Sequence, residues 1–263
     1  MKQLIKRALL SVLPETTTAI LSARSRSHSH RLVKEWGLDE VNRLIVQRFG
    51  SCVQHGPFRG MSLSPLTHAE HLGPFLLGTY EAELHPWLER ILGSRFSQVL
   101  DVGAKFGYYA IGFARRMSAT PVIAFDTDHW ARTAMREMAG LNRTPNVSPV
   151  GYCSSSWLDR NLLPGSFILS DCEGFEAELF SRSTTPSLDS ATLLIEIHDN
   201  LIPGVGDTIR HRFRLTHEFS VVSSGTRKMP ALDLGFLTPE QAASATREIR
   251  DPQDWFLLAP IDG

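Results

Sequence analysis

Four acidic residues and one histidine sit where this sequence can do chemistry, each at the end of an apolar run. Val99-Leu100-Asp101-Val102 leads into Gly103 and Gly107, four residues apart, and then into a helix-forming stretch. Pro121-Val122-Ile123-Ala124-Phe125 ends in Asp126, 25 residues after Asp101. Phe167-Ile168-Leu169-Ser170 ends in Asp171, and Leu193-Leu194-Ile195 ends in Glu196-Ile197-His198. Gly103 permits a tight turn with no Cβ in the way. Gly107 would let the first helical turn lie close to a ligand, with unpaired N–H groups facing it. An acid about 20 residues beyond such a turn is placed to hold ribose hydroxyls. The first two runs therefore predict a βαβ unit with a nucleoside site, although glycine turns also end strands for structural reasons alone.

The last two runs carry the means to move a proton. An acid at a strand's carboxyl end lies at the ligand edge of an open α/β sheet. Asp171 could equally serve as a helix N-cap, with Glu173 and Glu176 in the first turn against the dipole. Glu196 and His198 share one face of their strand, since side chains alternate. His198 has the ordinary pKa of a general base, although a single histidine is more often structural. Asp171, Glu173, Glu196 and His198 together would suit magnesium, calcium or manganese. Their spacing matches no known metal motif, so no metal is assigned.

Two strands ending in Asp about one helix apart also suggest a nicotinamide site. That fingerprint needs G-x-G-x-x-G, whereas Gly103-Ala104-Lys105 places lysine at its second glycine. A Tyr-x-x-x-Lys pair is missing as well. The run Asp101-Val102-Gly103-Ala104-Lys105-Phe106-Gly107-Tyr108-Tyr109 instead resembles the first motif of class I S-adenosylmethionine-dependent methyltransferases. It is most similar to the FkbM-type family, with its D-V-G-A-N-x-G-Y-Y/F pattern. Ser170-Asp171-Cys172-Glu173-Gly174-Phe175-Glu176 resembles that family's K-x-D-V-E-G-x-E block, and Ile195-Glu196-Ile197-His198 its following strand. The resemblance spans roughly residues 75 to 200. Lys105 departs from the pattern, which commonly has Asn, and would bring a cation near the cofactor's sulfonium unless it turns outward.

The resemblance implies an α/β fold with a Rossmann-like seven-stranded methyltransferase sheet, its last strand antiparallel, and a helical N-terminal extension. It implies S-adenosylmethionine as cofactor, held by Asp101, Gly103, Ala104, Gly107 and Tyr108, with Asp126 and Thr127 at the ribose. Tyr80 and Glu81 are lid candidates in a helix that Thr79 would cap. Asp171 and His198 are the implied catalytic pair, with Glu173 and Glu196 on the acceptor, a small molecule or a sugar hydroxyl. Methyl transfer from an activated sulfonium needs a nucleophile held in line at about 3 Å. An oxygen nucleophile usually needs a base as well.

Composition sets the outer bounds. The chain has 263 residues, 42% of them hydrophobic and 21% charged, as in an ordinary soluble globular protein. A net charge of −1 gives no general pull toward nucleic acid. Three cysteines (Cys52, Cys153, Cys172) lack metal-ligand spacing and leave one over, which predicts a reducing, cytoplasmic setting. Residues 1–48 form a basic arm with nine Lys/Arg against four Asp/Glu. Leu4, Ile5, Ala8, Leu9 and Val12 recur at helical spacing within it. The expected contacts of the arm are a second copy of the chain or the periphery of a membrane, and residues 22–30 read as a polar linker. Residues 49–93 are expected to connect the arm to a cofactor domain over 94–263. Phe219–Ser224 and Asp254–Ala259 read as the sixth and seventh strands, with a substrate-side insertion between them. Beside the methyltransferase reading stand a non-catalytic module using the arm as its contact and, less favoured, a nicotinamide-dependent oxidoreductase.

Overall fold

A computed structural model describes residues 27, 29–67, 69–181, 185–224, 230–248 and 252–261. The helix expected over Leu4–Val12 lies outside the described residues. Within them the elements run α1 Leu38–Phe49, α2 Ala69–Leu77, α3 His85–Leu92, β1 Val99–Val102, α4 Tyr108–Arg116, β2 Val122–Phe125 and α5 His129–Asn142. There follow β3 Val147–Val150, α6 Ser155–Asn161, β4 Phe167–Ser170, α7 Glu176–Leu179, β5 Thr192–Ile197, α8 Val205–Phe213, β6 His217–Ser223, α9 Pro239–Ala245 and β7 Asp254–Pro260.

The strands form one sheet in the order β3-β2-β1-β4-β5-β7-β6. The first five are parallel, while β7 runs antiparallel to both β5 and β6. This is the seven-stranded sheet that the motifs imply. The order turns back between β1 and β4, and at such a switch point the carboxyl ends of neighbouring strands leave a crevice for ligand. Asp101 and Asp171 flank that crevice.

Both faces of the central strands are covered, which is why they read as nearly unbroken apolar runs. Alternation splits them between two cores. Val99, Phe167 and Leu169 pack on one side with Phe58, Phe113 and Trp255. Leu100, Val102 and Ile168 pack on the other with Phe125, Phe180 and Phe213. The first core also takes Val41 and Ile45 of α1 and Phe75–Leu77 of α2, so the segments before β1 share the sheet's own core.

Two local expectations are corrected. Thr79 caps no helix: α2 ends before it, a 3₁₀ turn covers Ala82–Leu84, and the next helix begins at His85 with Pro86 in its first turn. Glu81 adopts a left-handed backbone (φ 48°), which ordinary helix residues avoid, so no helix runs through it. Ser29 and His30, expected in the polar linker, are helical, and buried Ser29 donates to Glu70. The turn expected at Arg59–Pro65 exists and closes on an antiparallel bridge between Cys52 and Ser62. Among the described residues no helix is long and apolar enough to cross a membrane.

Candidate functional site

The glycine turn is built by main-chain bonds. The N–H groups of Gly103 and Ala104 both donate to the Phe125 carbonyl at 2.9 Å, and Gly107 donates to Ala104 at 2.7 Å. Lys105 donates its N–H to Asp126 Oδ2 at 2.8 Å. Four N–H groups of the turn are therefore used inside the protein. These four are not open to a ligand, and beside them the turn offers side-chain carboxylate at this edge.

Each glycine has a specific neighbour. Gly103 has φ 86°, and a Cβ there would lie 1.8 Å from the Asp171 carbonyl oxygen, so only glycine fits. The contact presses the β1 turn onto the backbone of the acid that follows β4. Gly107 also has φ 86°, but a Cβ there would meet Met135 Cγ at 2.6 Å. Its missing side chain makes room for α5, a packing reason for this glycine beside the expected one.

Asp101 is buried in β1, with one carboxylate oxygen lacking any partner. Burial pushes its pKa to about 8; the Ala110 N–H pulls it down, while Asp171, Asp126 and Glu81 push it further up. Asp126 follows β2 and accepts N–H bonds from Lys105 and, at 2.7 Å, from Asp128. Burial outweighs these bonds and raises its pKa to about 6. Each of its oxygens keeps a lone pair for another donor. Thr127 is exposed beside it.

Lys105 reaches toward α2, and its charge draws the pKa of Asp126 down. Its backbone is left-handed (φ 49°), a conformation that Asn tolerates better than Lys. Its Nζ lies 3.1 Å from Nε2 of His71 on α2. Tyr80 packs edge-on against Phe75 and Tyr108, whose rings stack at 4.3 Å. Tyr108 thus commits its ring to the core. Glu81 is buried, accepts from the Tyr109 hydroxyl, and donates its N–H to Glu248 at 3.0 Å.

Across the crevice, β4 and β5 gather the second group. His198 is buried just beyond β5, and its Nε2 lies 3.4 Å from Asp171 Oδ1, 3.6 Å from Glu196 Oε2 and 4.0 Å from Glu173 Oε2. Nδ1 lies within hydrogen-bond distance of Glu176 Oε1, at 2.6 Å. Burial alone would lower the imidazole pKa. The Glu176 hydrogen bond and the Asp171, Glu176 and Glu173 charges outweigh it, and the pKa is raised. Asp171, Glu196 and His198 each bring one ligand atom within 4.8 Å of the others, a grouping able to hold a cation.

Asp171 is not a helix cap. Phe175 occupies that position without a side-chain bond, and Glu173 (φ 57°) and Gly174 (φ 90°) hold the chain outside the helix. Sequence reasoning missed two residues here. Glu176, expected to face the helix dipole, points inward to His198. Gln253, just before β7, lays its amide against the Glu196 carboxylate, with nitrogen toward oxygen in the orientation that pairs donor with acceptor. The signal for Glu176 was the Glu173-Gly174 pair, which delays the helix by several residues. Gln253 had no signal, because β7 comes late in the chain and inserts next to β5.

No protein-family model matches the chain, and no curated protein matches its sequence. Among solved structures it is similar to a putative O-methyltransferase from Klebsiella pneumoniae, with 12% identity, TM-score 0.45, and 89% of this chain and 96% of that one covered. It is also similar to an O-methyltransferase from Bacillus cereus in complex with SAH (15% identity, TM-score 0.44, coverage 84% and 90%). A third likeness is to a precorrin-6y C5,15-methyltransferase from Geobacter metallireducens (14%, 0.43, coverage 64% and 84%).

Proposed function

We propose that this chain is an S-adenosylmethionine-dependent methyltransferase that acts on a hydroxyl of a small molecule or sugar, as in the FkbM-type family its motifs resemble. One observation carries the reading. Gly103 packs against the Asp171 backbone, joining an acidic nucleoside edge to a carboxylate–histidine cluster across the crevice at the sheet's switch point. The residues fit a ligand that bears both hydroxyls and positive charge. Asp126 has lone pairs left for ribose hydroxyls, and the partnerless oxygen of buried Asp101 suits an ammonium group. Gly103, Ala104 and Gly107 shape the floor, with Tyr108 beneath it, Thr127 beside the ribose acid, and Tyr80 and Glu81 at the closing side. A dinucleotide fits poorly, because Lys105 stands where its G-x-G-x-x-G turn has the second glycine.

S-adenosylmethionine, when bound, supplies a methyl group already activated on a sulfonium. The chain's own residues then have two tasks. Asp171, Glu173 and Glu196 accept hydrogen bonds from the acceptor's hydroxyls and orient it. His198 takes the hydroxyl proton at Nε2, which faces these carboxylates. Because its pKa is raised, the neutral form that can act as a base grows as pH rises through that value.

Labelled S-adenosylmethionine, incubated with a panel of polyols, sugars and catechols, tests the reading by label transfer. His198→Ala is expected to lower kcat by about 10²–10⁴ on any acceptor that turns over. Wild-type turnover in that variant would remove the base role. Binding of NADH, without binding of S-adenosylmethionine, would overturn the whole reading.

A further inference from the structure

Glu176 is buried in a way that its place on a one-turn helix does not require. It opens α7 (Glu176–Leu179) with none of its surface exposed, and a first-turn acid serves the helix dipole equally well from the surface. Its Oε1 lies 2.6 Å from His198 Nδ1 and accepts from the Gly174 N–H at 3.1 Å. The other oxygen is buried too, with the Cys172 thiol against the carboxylate. A buried carboxylate is costly unless it is hydrogen-bonded, and the imidazole makes its shortest contact here.

We infer that Glu176 is the positioning residue of the transfer site, fixing His198 as the Nδ1–H tautomer so that the Nε2 lone pair faces Asp171 and the acceptor. Free imidazole has no such constraint, and which nitrogen carries the proton is decided by the partner of the other. A carboxylate at Nδ1 also stabilises the imidazolium formed when Nε2 takes a proton. In that step the acceptor's O–H bond breaks and the Nε2–H bond forms, while the oxygen's lone pair bonds the methyl carbon and the methyl–sulfur bond breaks, leaving its electron pair on the sulfur. The inference rests on the reading of His198 as the base.

The groups facing the imidazole are Asp171 and Glu173 from the β4–α7 loop, Glu176 from α7 and Glu196 from β5. The Cys172 thiol lies against Glu176, and burial with that carboxylate's charge drives its pKa up, so it stays a neutral thiol. Among these, Glu176 alone reaches Nδ1.

Imidazole ¹⁵N spectra of the full chain test this without any acceptor. The chain has ten histidines, and His198 is assigned by the signal lost in His198→Ala. Above its titration midpoint, wild-type His198 is expected as the Nδ1–H form. Glu176→Gln keeps an acceptor at Nδ1 but removes the charge, and the midpoint should fall by about one pH unit or more. Glu176→Leu should shift the neutral ring toward Nε2–H. An Nε2–H form in the wild type, or equal midpoints in wild type and Glu176→Gln, would overturn the inference. If the variants fail to fold, the wild-type tautomer alone decides. The two readings fail separately. Wild-type turnover in His198→Ala removes the base, whereas a wrong tautomer beside an inactive His198→Ala removes only the role of Glu176.

Discussion

The two acidic edges of the crevice hold their carboxylates by different means. At the β1–β2 edge, Asp126 is fixed by main-chain N–H groups from Lys105 and Asp128, within a turn where the Gly103, Ala104 and Gly107 N–H groups are also used. At the β4–β5 edge, side chains hold one another: Glu176 grips His198, whose far nitrogen faces Asp171, Glu196 and Glu173. The first arrangement is rigid because the backbone makes it, and it suits a ligand bound in one pose. The second can change its proton count without moving the chain, which suits proton transfer. Substitutions at the first edge should therefore change binding or folding, and those at the second should change turnover.

The largest expected effect tests how rigid the first edge is. Gly107→Val puts a β-branched side chain at φ 86° with its Cβ against Met135. Left-handed strain and overpacking together should cost about 2–4 kcal/mol. The measurement is a thermal melt followed by circular dichroism, with a fall of roughly 5–15 °C expected. An unchanged melting temperature with lost cofactor binding would mean that the glycine serves the ligand after all.

A smaller effect is read by pH. The folded-state pKa values of Asp101 and Asp126, about 8 and about 6, lie above those of an unfolded chain, near 3.9. Each group therefore favours folding fully only below about pH 4, and that contribution is lost as pH rises through about 6 and then about 8. His198, also raised, acts in the same direction, from its unfolded value upward. The free chain should melt several degrees lower at pH 8.5 than at pH 5.5, and Asp101→Asn should flatten the upper part of that slope. A melting temperature that rises across this range would contradict the assignment.

How much of this was readable before the structure follows the same division. The β1 turn and its acids are local in sequence. Asp101, the two glycines and Asp126 lie within 26 consecutive positions, and the structure places them at one edge, as their spacing implies. The packing at Gly107 was not readable, because its neighbour Met135 lies on α5, distant in sequence. Asp171, Glu196 and His198 were readable as strand ends, and β4 and β5 are adjacent partners. Glu176 was not, since the choice between facing the dipole and facing the imidazole depends on how Gly174 turns the chain. Thr79 misled because a capping residue before two glutamates reads as a helix start, whereas the chain turns left-handed at Glu81 instead.

The central claim is that the first edge binds and the second edge transfers. Calorimetric titration of S-adenosylmethionine into Asp126→Ala and His198→Ala, beside the wild type, tests it most directly. Losing a charged hydrogen-bond acceptor costs about 1.5–3 kcal/mol, so Asp126→Ala should bind roughly 10- to 100-fold more weakly. His198→Ala should match the wild type within about twofold. Equal loss in both variants, or an unchanged Kd in Asp126→Ala, would contradict the account.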